Sequence, residues 1–218
     1  MIIVSSRNRI FVLLFSLAVI FCFTEVRAQQ SMGEFSASVG HLFGGSYSIY
    51  SGEIGVEDAM DYVAALDFPA NRDVSLELSY TYAVSYTKYY AYPYYQDIPG
   101  QPTYDSDVHI NYILIGALHE VKGKGKVTPF GGASLGAVVF DFSDPHYSSV
   151  WHAALGFQLG LKVDVSEKIG LRLGGRFLLP LYFYGVSIYA GTGGSGAGVS
   201  GGIPIVQGDL TAGLTIKM

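Results

Sequence analysis

From Val74 to Thr87 the sequence reads VSLELSYTYAVSYT. Every even position is apolar or aromatic: Val74, Leu76, Leu78, Tyr80, Tyr82, Val84 and Tyr86. Every odd position is small or polar: Ser75, Glu77, Ser79, Thr81, Ala83, Ser85 and Thr87. Successive side chains of a strand point to opposite faces, so this period predicts a strand with one apolar face. A helix would scatter the same residues around its circumference. The pattern recurs at Trp151 to Val163, where Trp151, Ala153, Leu155, Phe157, Leu159, Leu161 and Val163 alternate with His152, Ala154, Gly156, Gln158, Gly160 and Lys162. It recurs again at Asp209 to Met218.

Such runs predict eight strands, over 34–45, 58–68, 74–90, 108–121, 127–142, 150–165, 169–189 and 208–218. Their connections alternate in length. Residues 69–73, 122–126 and 166–168 read as tight turns, whereas 46–57, 91–107, 143–149 and 190–207 read as longer loops. Short turns at one end and long loops at the other are the arrangement of a transmembrane barrel. An even strand count returns both termini to the short-turn, periplasmic side. The expected fold is therefore all-β: an eight-stranded antiparallel up-and-down transmembrane β-barrel.

A soluble eight-stranded barrel would alternate similarly, but its polar set would face water and carry many Lys, Glu and Asp. Here the polar set is mainly Ser, Thr, Gly and Ala. Charged residues make up 14% of the chain, against about 25% in an average soluble domain. Half of the residues are hydrophobic, spread over strand faces instead of long runs. That excludes a polytopic helical membrane protein, which needs repeated apolar runs of ~20 residues. The formal net charge of −5 offers no basic footprint for nucleic acid.

The one continuous apolar run is at the start. Arg7 and Arg9 precede an apolar stretch from Ile10 to Phe23, followed by Val26-Arg27-Ala28. This is the pattern of a secretory signal peptide, with cleavage expected after Ala28. Residues 1–28 are thus read as the signal and 29–218 as one barrel domain. The single cysteine is Cys22, within the signal, so the mature chain is expected to carry no disulfide.

Thr128-Pro129-Phe130-Gly131-Gly132-Ala133-Ser134-Leu135-Gly136 resembles a strand of the small outer-membrane β-barrel family, which includes the transmembrane domain of outer-membrane protein A. So does Lys168-Ile169-Gly170-Leu171-Arg172, and the last strand ends apolar at Leu214, Ile216 and Met218. Met218 stands where the family usually ends in Phe. The resemblance implies residence in a bacterial outer membrane, contact with its lipid and lipopolysaccharide, and insertion by the barrel assembly machinery. A monomer is expected.

Two groups of residues are candidates for function. Glu77, His119, Lys162, Asp164, Arg172 and Arg176 are read as facing the lumen. Glu77, Lys162 and Arg172 lie at similar distances from the short turns, so an internal ionic layer that plugs the narrow barrel is expected. The second group is aromatic. Nine of the 17 Tyr residues fall between Tyr80 and Tyr104. Tyr80, Tyr82 and Tyr86 suit an outer girdle at the lipid headgroups. Tyr89, Tyr90, Tyr92, Tyr94, Tyr95 and Tyr104 are read as continuing into the longest loop, as a contact surface for a host or cell-surface ligand.

Other motifs carry less. Gly191-Thr192-Gly193-Gly194-Ser195-Gly196 matches G-x-G-x-x-G, but no helix signal follows, so it is read as a flexible surface loop. Lys122, Lys124 and Lys126 read as a basic, solvated turn. Ser148, Ser149 and His152 are close in sequence without matching a hydrolase pattern, and Asp141, Asp144 and His146 are explained by an Asp-Pro turn. No catalytic residue, cofactor or metal is assigned. The expected role is structural, adhesive or surface-recognising. The alternatives are a narrow channel for ions or small, including apolar, solutes and a lipid-modifying enzyme.

Overall fold

The computed structural model describes residues 33–49, 52–92, 105–123, 125–145, 148–191, 194–202 and 205–218. The signal segment and Tyr94, Tyr95 and Tyr104 lie outside the described residues. The strands are β1 (Glu34–Phe43), β2 (Gly45–Ile49), β3 (Gly52–Val56), β4 (Ala59–Pro69), β5 (Val74–Ala91), β6 (Ser106–Glu120), β7 (Val127–Phe142), β8 (Val150–Asp164), β9 (Ile169–Gly191), β10 (Gly194–Gly202) and β11 (Gln207–Lys217).

Eight of these form a closed ring. Around it run β1, β4, β5, β6, β7, β8, β9 and β11, every neighbouring pair antiparallel. Closure is made by β1 against β11, from Glu34↔Lys217 to Phe43↔Gly208. Among the described residues no helix is long and apolar enough to cross a membrane. The crossing is made by strands, whose backbone groups are all paired sideways in a closed sheet.

The remaining strands correct the expected loops. β2 and β3 pair in the same register as β1 and β4, so residues 45–49 and 52–56 continue that hairpin outward. β3 also pairs with β5. The β5 register shifts by one residue between Val56↔Thr87 and Asp61↔Ala83, which makes a bulge at Glu57–Asp58. Asp58 fastens it: Oδ1 accepts the Gly44 N–H at 2.8 Å and Oδ2 lies 3.3 Å from His41 Nε2. The Gly44 N–H, and then His41, hold the Asp58 carboxyl below the usual carboxylate range. Residues 194–202, read from sequence as flexible loop, form β10 against the outer part of β9. Tyr89 and Tyr90 belong to the extended β5 instead of a loop, opposite Ile54 and Glu53.

The short turns have local causes. Asn71 Oδ1 accepts the N–H groups of Asp73 and Val74 at 3.0 and 2.9 Å, and Ser166 Oγ accepts that of Ile169 at 3.0 Å.

The outer wall is apolar. Leu76, Leu78, Ile113, Leu135, Phe157, Leu159, Leu173, Leu210 and Leu214 all stand exposed on it. An exposed apolar belt around a closed barrel is the surface that lipid covers. Tyr62 and Trp151 are also exposed, and Tyr80 and Tyr82 reach Asn111 and His109 at 2.8 Å. The Tyr80 and Tyr82 hydroxyls thus find polar partners on the outer wall, as in an interfacial girdle.

The interior differs from the expected small, polar filling. Towards the long loops it is an apolar core of Leu42, Ala83, Val108, Ile110, Tyr112, Leu114, Val138, Phe140, Ala154 and Leu178. Strand β6 supplies much of it and is apolar on both faces. Ile110 is 1% exposed and Ile115 is 55% exposed. Truncating each to Ala should separate the faces. Ile110→Ala leaves a cavity and should cost about 2–5 kcal/mol of folding free energy. Ile115→Ala, where lipid refills the space, should cost less than half as much in urea unfolding from vesicles.

Candidate functional site

Inward side chains towards the short-turn end carry the charge. Lys162 on β8 is 6% exposed. Its Nζ donates to Glu34 Oε2 at 2.6 Å, Asp67 Oδ2 at 2.8 Å and Glu120 Oε1 at 2.5 Å. The three carboxylates come from β1, β4 and β6, so one ammonium ties three strands across the lumen. These carboxylates would suit a metal ion, since their oxygens gather within 4.8 Å of one another. Lys162 places its own cation among them.

Beside this lies a second centre. Arg172 on β9 donates from NH2 to Glu77 Oε2 at 2.6 Å and to Gln158 Oε1 at 3.1 Å, and from NH1 to Asp67 Oδ2 at 3.3 Å. Gln158 Nε2 donates to Glu77 Oε1 at 2.6 Å. Asp67 is therefore shared by Lys162 and Arg172, and the two centres form one layer. The Phe130 ring packs against both, 4.7 Å from Arg172 Cζ and 5.9 Å from Lys162 Nζ. Gly160 leaves the space for this ring: a Cβ there would stand 2.6 Å from Phe130 Cζ.

A second layer lies nearer the apolar core. Arg176 Nε donates to Asp209 Oδ1 and Oδ2 at 3.0 and 2.8 Å, NH2 also reaches Asp209 Oδ2, and NH1 donates to Thr81 Oγ1 at 2.8 Å. The same NH2 lies 3.3 Å from Asp61 Oδ2. Between the layers is a cavity of about 10 Å³, bordered by Ser36, Ser38, Ser79, Glu77, Arg172 and Arg176. That is about the volume of one water position. Above the upper layer, Tyr112 Oη donates to Gln207 Oε1 at 2.5 Å, and the apolar core follows.

The sequence-derived set is thus divided. Glu77, Lys162, Arg172 and Arg176 lie in these layers. Asp164 does not; it pairs with Lys217 at 2.7 Å, both partly exposed, near the barrel's short-turn end. His119 is a correction. It is exposed and pairs across strands with Val74 and Gly131, on the outer wall. Glu120, one residue on, is the lumen residue of that strand. The two faces of β6 are both apolar, so alternation gives no parity there.

Glu34, Asp61, Asp67, Glu120, Gln158 and Asp209 were missed. For all but Glu120 the signal was present: each of the other five lies on a strand whose small or polar residues mostly share its parity. What the sequence lacks is the register that brings them to one depth. Lys122 binds Glu120 at 3.1 Å from the rim, so this lysine of the basic turn is paired.

On the outer wall, His109 Nδ1 lies 2.8 Å from Tyr82 Oη and its Nε2 lies 3.4 Å from Ser143 Oγ. Ser149 Oγ donates to Asp141 Oδ1 at 2.5 Å. His152 faces inward, its ring 6.3 Å from that of Phe140. Ser149 and His152 therefore point to opposite sides of the wall. Among the carboxylates near the long loops, Tyr89 N–H donates to Asp105 Oδ1 at 3.0 Å, while Tyr90 and Tyr92 are exposed.

No protein-family model matches the sequence, and no curated protein is similar to it. Solved structures do share its fold. Neisserial surface protein A is similar over 86% of this chain and 98% of its own, at 19% identity and a TM-score of 0.56. Outer membrane protein AlkL, solved in lipid bilayers, is similar over 90% of this chain and 96% of its own, at 14% identity and a TM-score of 0.50. Ail, the attachment invasion locus protein of Yersinia pestis, covers 85% of this chain and 99% of its own, at 12% identity and a TM-score of 0.47. The shared feature is the small outer-membrane β-barrel.

Removing one partner of a buried ion pair leaves the other unpaired, at a cost of about 3–5 kcal/mol. Arg172→Ala should therefore destabilise the barrel by that order in urea unfolding. Replacing His119 by Leu should change it by less than about 0.5 kcal/mol. A double-mutant cycle of Glu77→Gln with Arg172→Met should give a coupling above about 1 kcal/mol.

Proposed function

We propose that this outer-membrane barrel works through its extracellular end, as a structural and surface-recognition protein with a closed lumen. The observation that carries the reading is the filled interior. Two charged layers and an apolar core follow one another along the axis, and the cavity between the layers holds about 10 Å³. The narrow-channel alternative needs both layers and the core to move aside together.

The extracellular segments 44–58, 86–107, 141–149 and 182–206 contain one Lys or Arg, Lys88. Against it stand Glu53, Glu57, Asp58, Asp97, Asp105, Asp107, Asp141 and Asp144. Lys88 is itself paired with Glu57. An acidic surface set with Tyr favours a partner that presents Lys or Arg, by charge attraction and by cation–π contact. It opposes sulfated or phosphorylated polymers. Tyr also supplies large, rigid contact area at low entropic cost, which suits recognition.

Catalysis is left out of this reading. Ser143 Oγ is 3.4 Å from His109 Nε2, long for an activated nucleophile, and the ring's other nitrogen is held by the Tyr82 hydroxyl instead of a carboxylate. The test is deletion of 92–104 from the full chain displayed on cells. The barrel should still fold, seen as heat-modifiable gel migration, and adhesion to surfaces bearing Lys/Arg-rich polypeptide should be largely lost. Adhesion unchanged by the deletion would contradict a recognition role for this loop.

A further inference from the structure

Both charged layers hold fewer cations than carboxylates, and they differ in how that shortage is met. Asp61 and Asp209 are 0% and 2% exposed, and Arg176 is the cation between them. Asp209 takes both the Nε and NH2 donors of Arg176. Among the described residues Asp61 takes one cationic donor, Arg176 at 3.3 Å on Oδ2, and its Oδ1 is buried with no hydrogen-bond donor. In the lower layer Asp67 Oδ1 is likewise buried without a donor, but Asp67 Oδ2 takes donors from two cations, Lys162 at 2.8 Å and Arg172 at 3.3 Å. Lys122 reaches Glu120 from the rim, and the Glu34 side chain is 20% exposed.

The other groups facing Asp61 do not balance it. From β1 the neighbour is Gly40, from β5 Ala83, with Thr81 held by Arg176, and from β11 Thr211 beside Asp209. Arg176 on β9 is the cation in contact with Asp61 among the described residues. Glu77 belongs to the lower layer, across the small cavity. On the other side stand Leu42, Ala59 and Ala83, which can neither donate a bond nor admit water. Burying a carboxylate with one oxygen unmatched is costly; binding a cation or a proton relieves it.

The space beside Oδ1 decides which. A Cβ added to Gly40 would lie 2.5 Å from Asp61 Oδ1, 2.5 Å from Leu210 O and 2.7 Å from Thr211 Cγ2. Two oxygens at that distance would suit a metal ion, but the Thr211 methyl carbon at 2.7 Å stands where further oxygen ligands would have to go, so a full coordination shell does not fit there. A proton needs no such room. We infer that Asp61 and Asp209 form a proton-binding site in the lumen, in which one proton is held on the pair over Arg176 at neutral pH. The pair then carries one negative charge, balanced by one guanidinium. The inference concerns the interior and stands whether or not the loops recognise a partner.

The test uses the full barrel in lipid vesicles, labelled with aspartate carrying ¹³C in its side-chain carboxyl. At pH 7 one aspartic acid resonance in the protonated position is expected, and it should vanish in Asp61→Asn or Asp209→Asn. The folded pair keeps a proton that the unfolded chain has released above the ordinary Asp range, so stability should fall as pH rises from 5 to 8. Asparagine does not titrate. Asp61→Asn should therefore match the parent barrel's melting near pH 4 and exceed it increasingly up to pH 8. Absence of a protonated aspartate at pH 7 would overturn the proposal, and that reading needs no variant to fold. So would a stability that follows Na⁺ concentration at fixed pH, or an Asp61→Asn barrel that melts lower than the parent at pH 8.

Discussion

A lipid core offers no partner to a backbone N–H or C=O, so a strand can cross it only if both edges are paired. The contact of β1 with β11 meets that demand and closes the ring. The other features of the molecule follow from closure at eight strands. A ring of this size leaves an interior just wide enough for side chains to fill. Every second residue of every strand is forced into it, and the alternate set is forced onto the lipid.

The interior is filled in two ways. Towards the short turns, Lys162 and Arg172 gather carboxylates from β1, β4, β5 and β6. Each long side chain reaches across the lumen and joins strands that are not neighbours. Towards the long loops, Ile110, Tyr112, Val138, Phe140 and Leu178 pack as an ordinary apolar core does. Charge pairing at one end and close packing at the other fill the interior, and among the described residues they leave between the layers a cavity of about 10 Å³. Glycine makes the arrangement fit, as at Gly160, where the Phe130 ring occupies the place of a side chain.

How much of this was legible depends on how different the two faces of each strand are. β5 has Leu and Tyr on one face and Ser and Thr on the other, so its orientation could be read directly. β6 has Ile110 and Leu114 inside with Ile113 and Ile115 outside. Both faces are apolar, for lipid on one side and core on the other, and the parity of His119 and Glu120 was lost. The existence of an ionic layer could be expected from Glu77, Lys162 and Arg172. The identity of its partners could not, because Asp67 and Glu34 meet Lys162 through pairings distant in sequence. The strands β2, β3 and β10 were hidden by Gly and Ser, residues that read as loop unless a neighbouring strand is seen to pair with them.

The central claim is that the lumen is shut along its length. Single-barrel current across a planar lipid bilayer at neutral pH measures that directly. No steps above the bilayer's own leak are expected. A stable open conductance from the unaltered protein would contradict it.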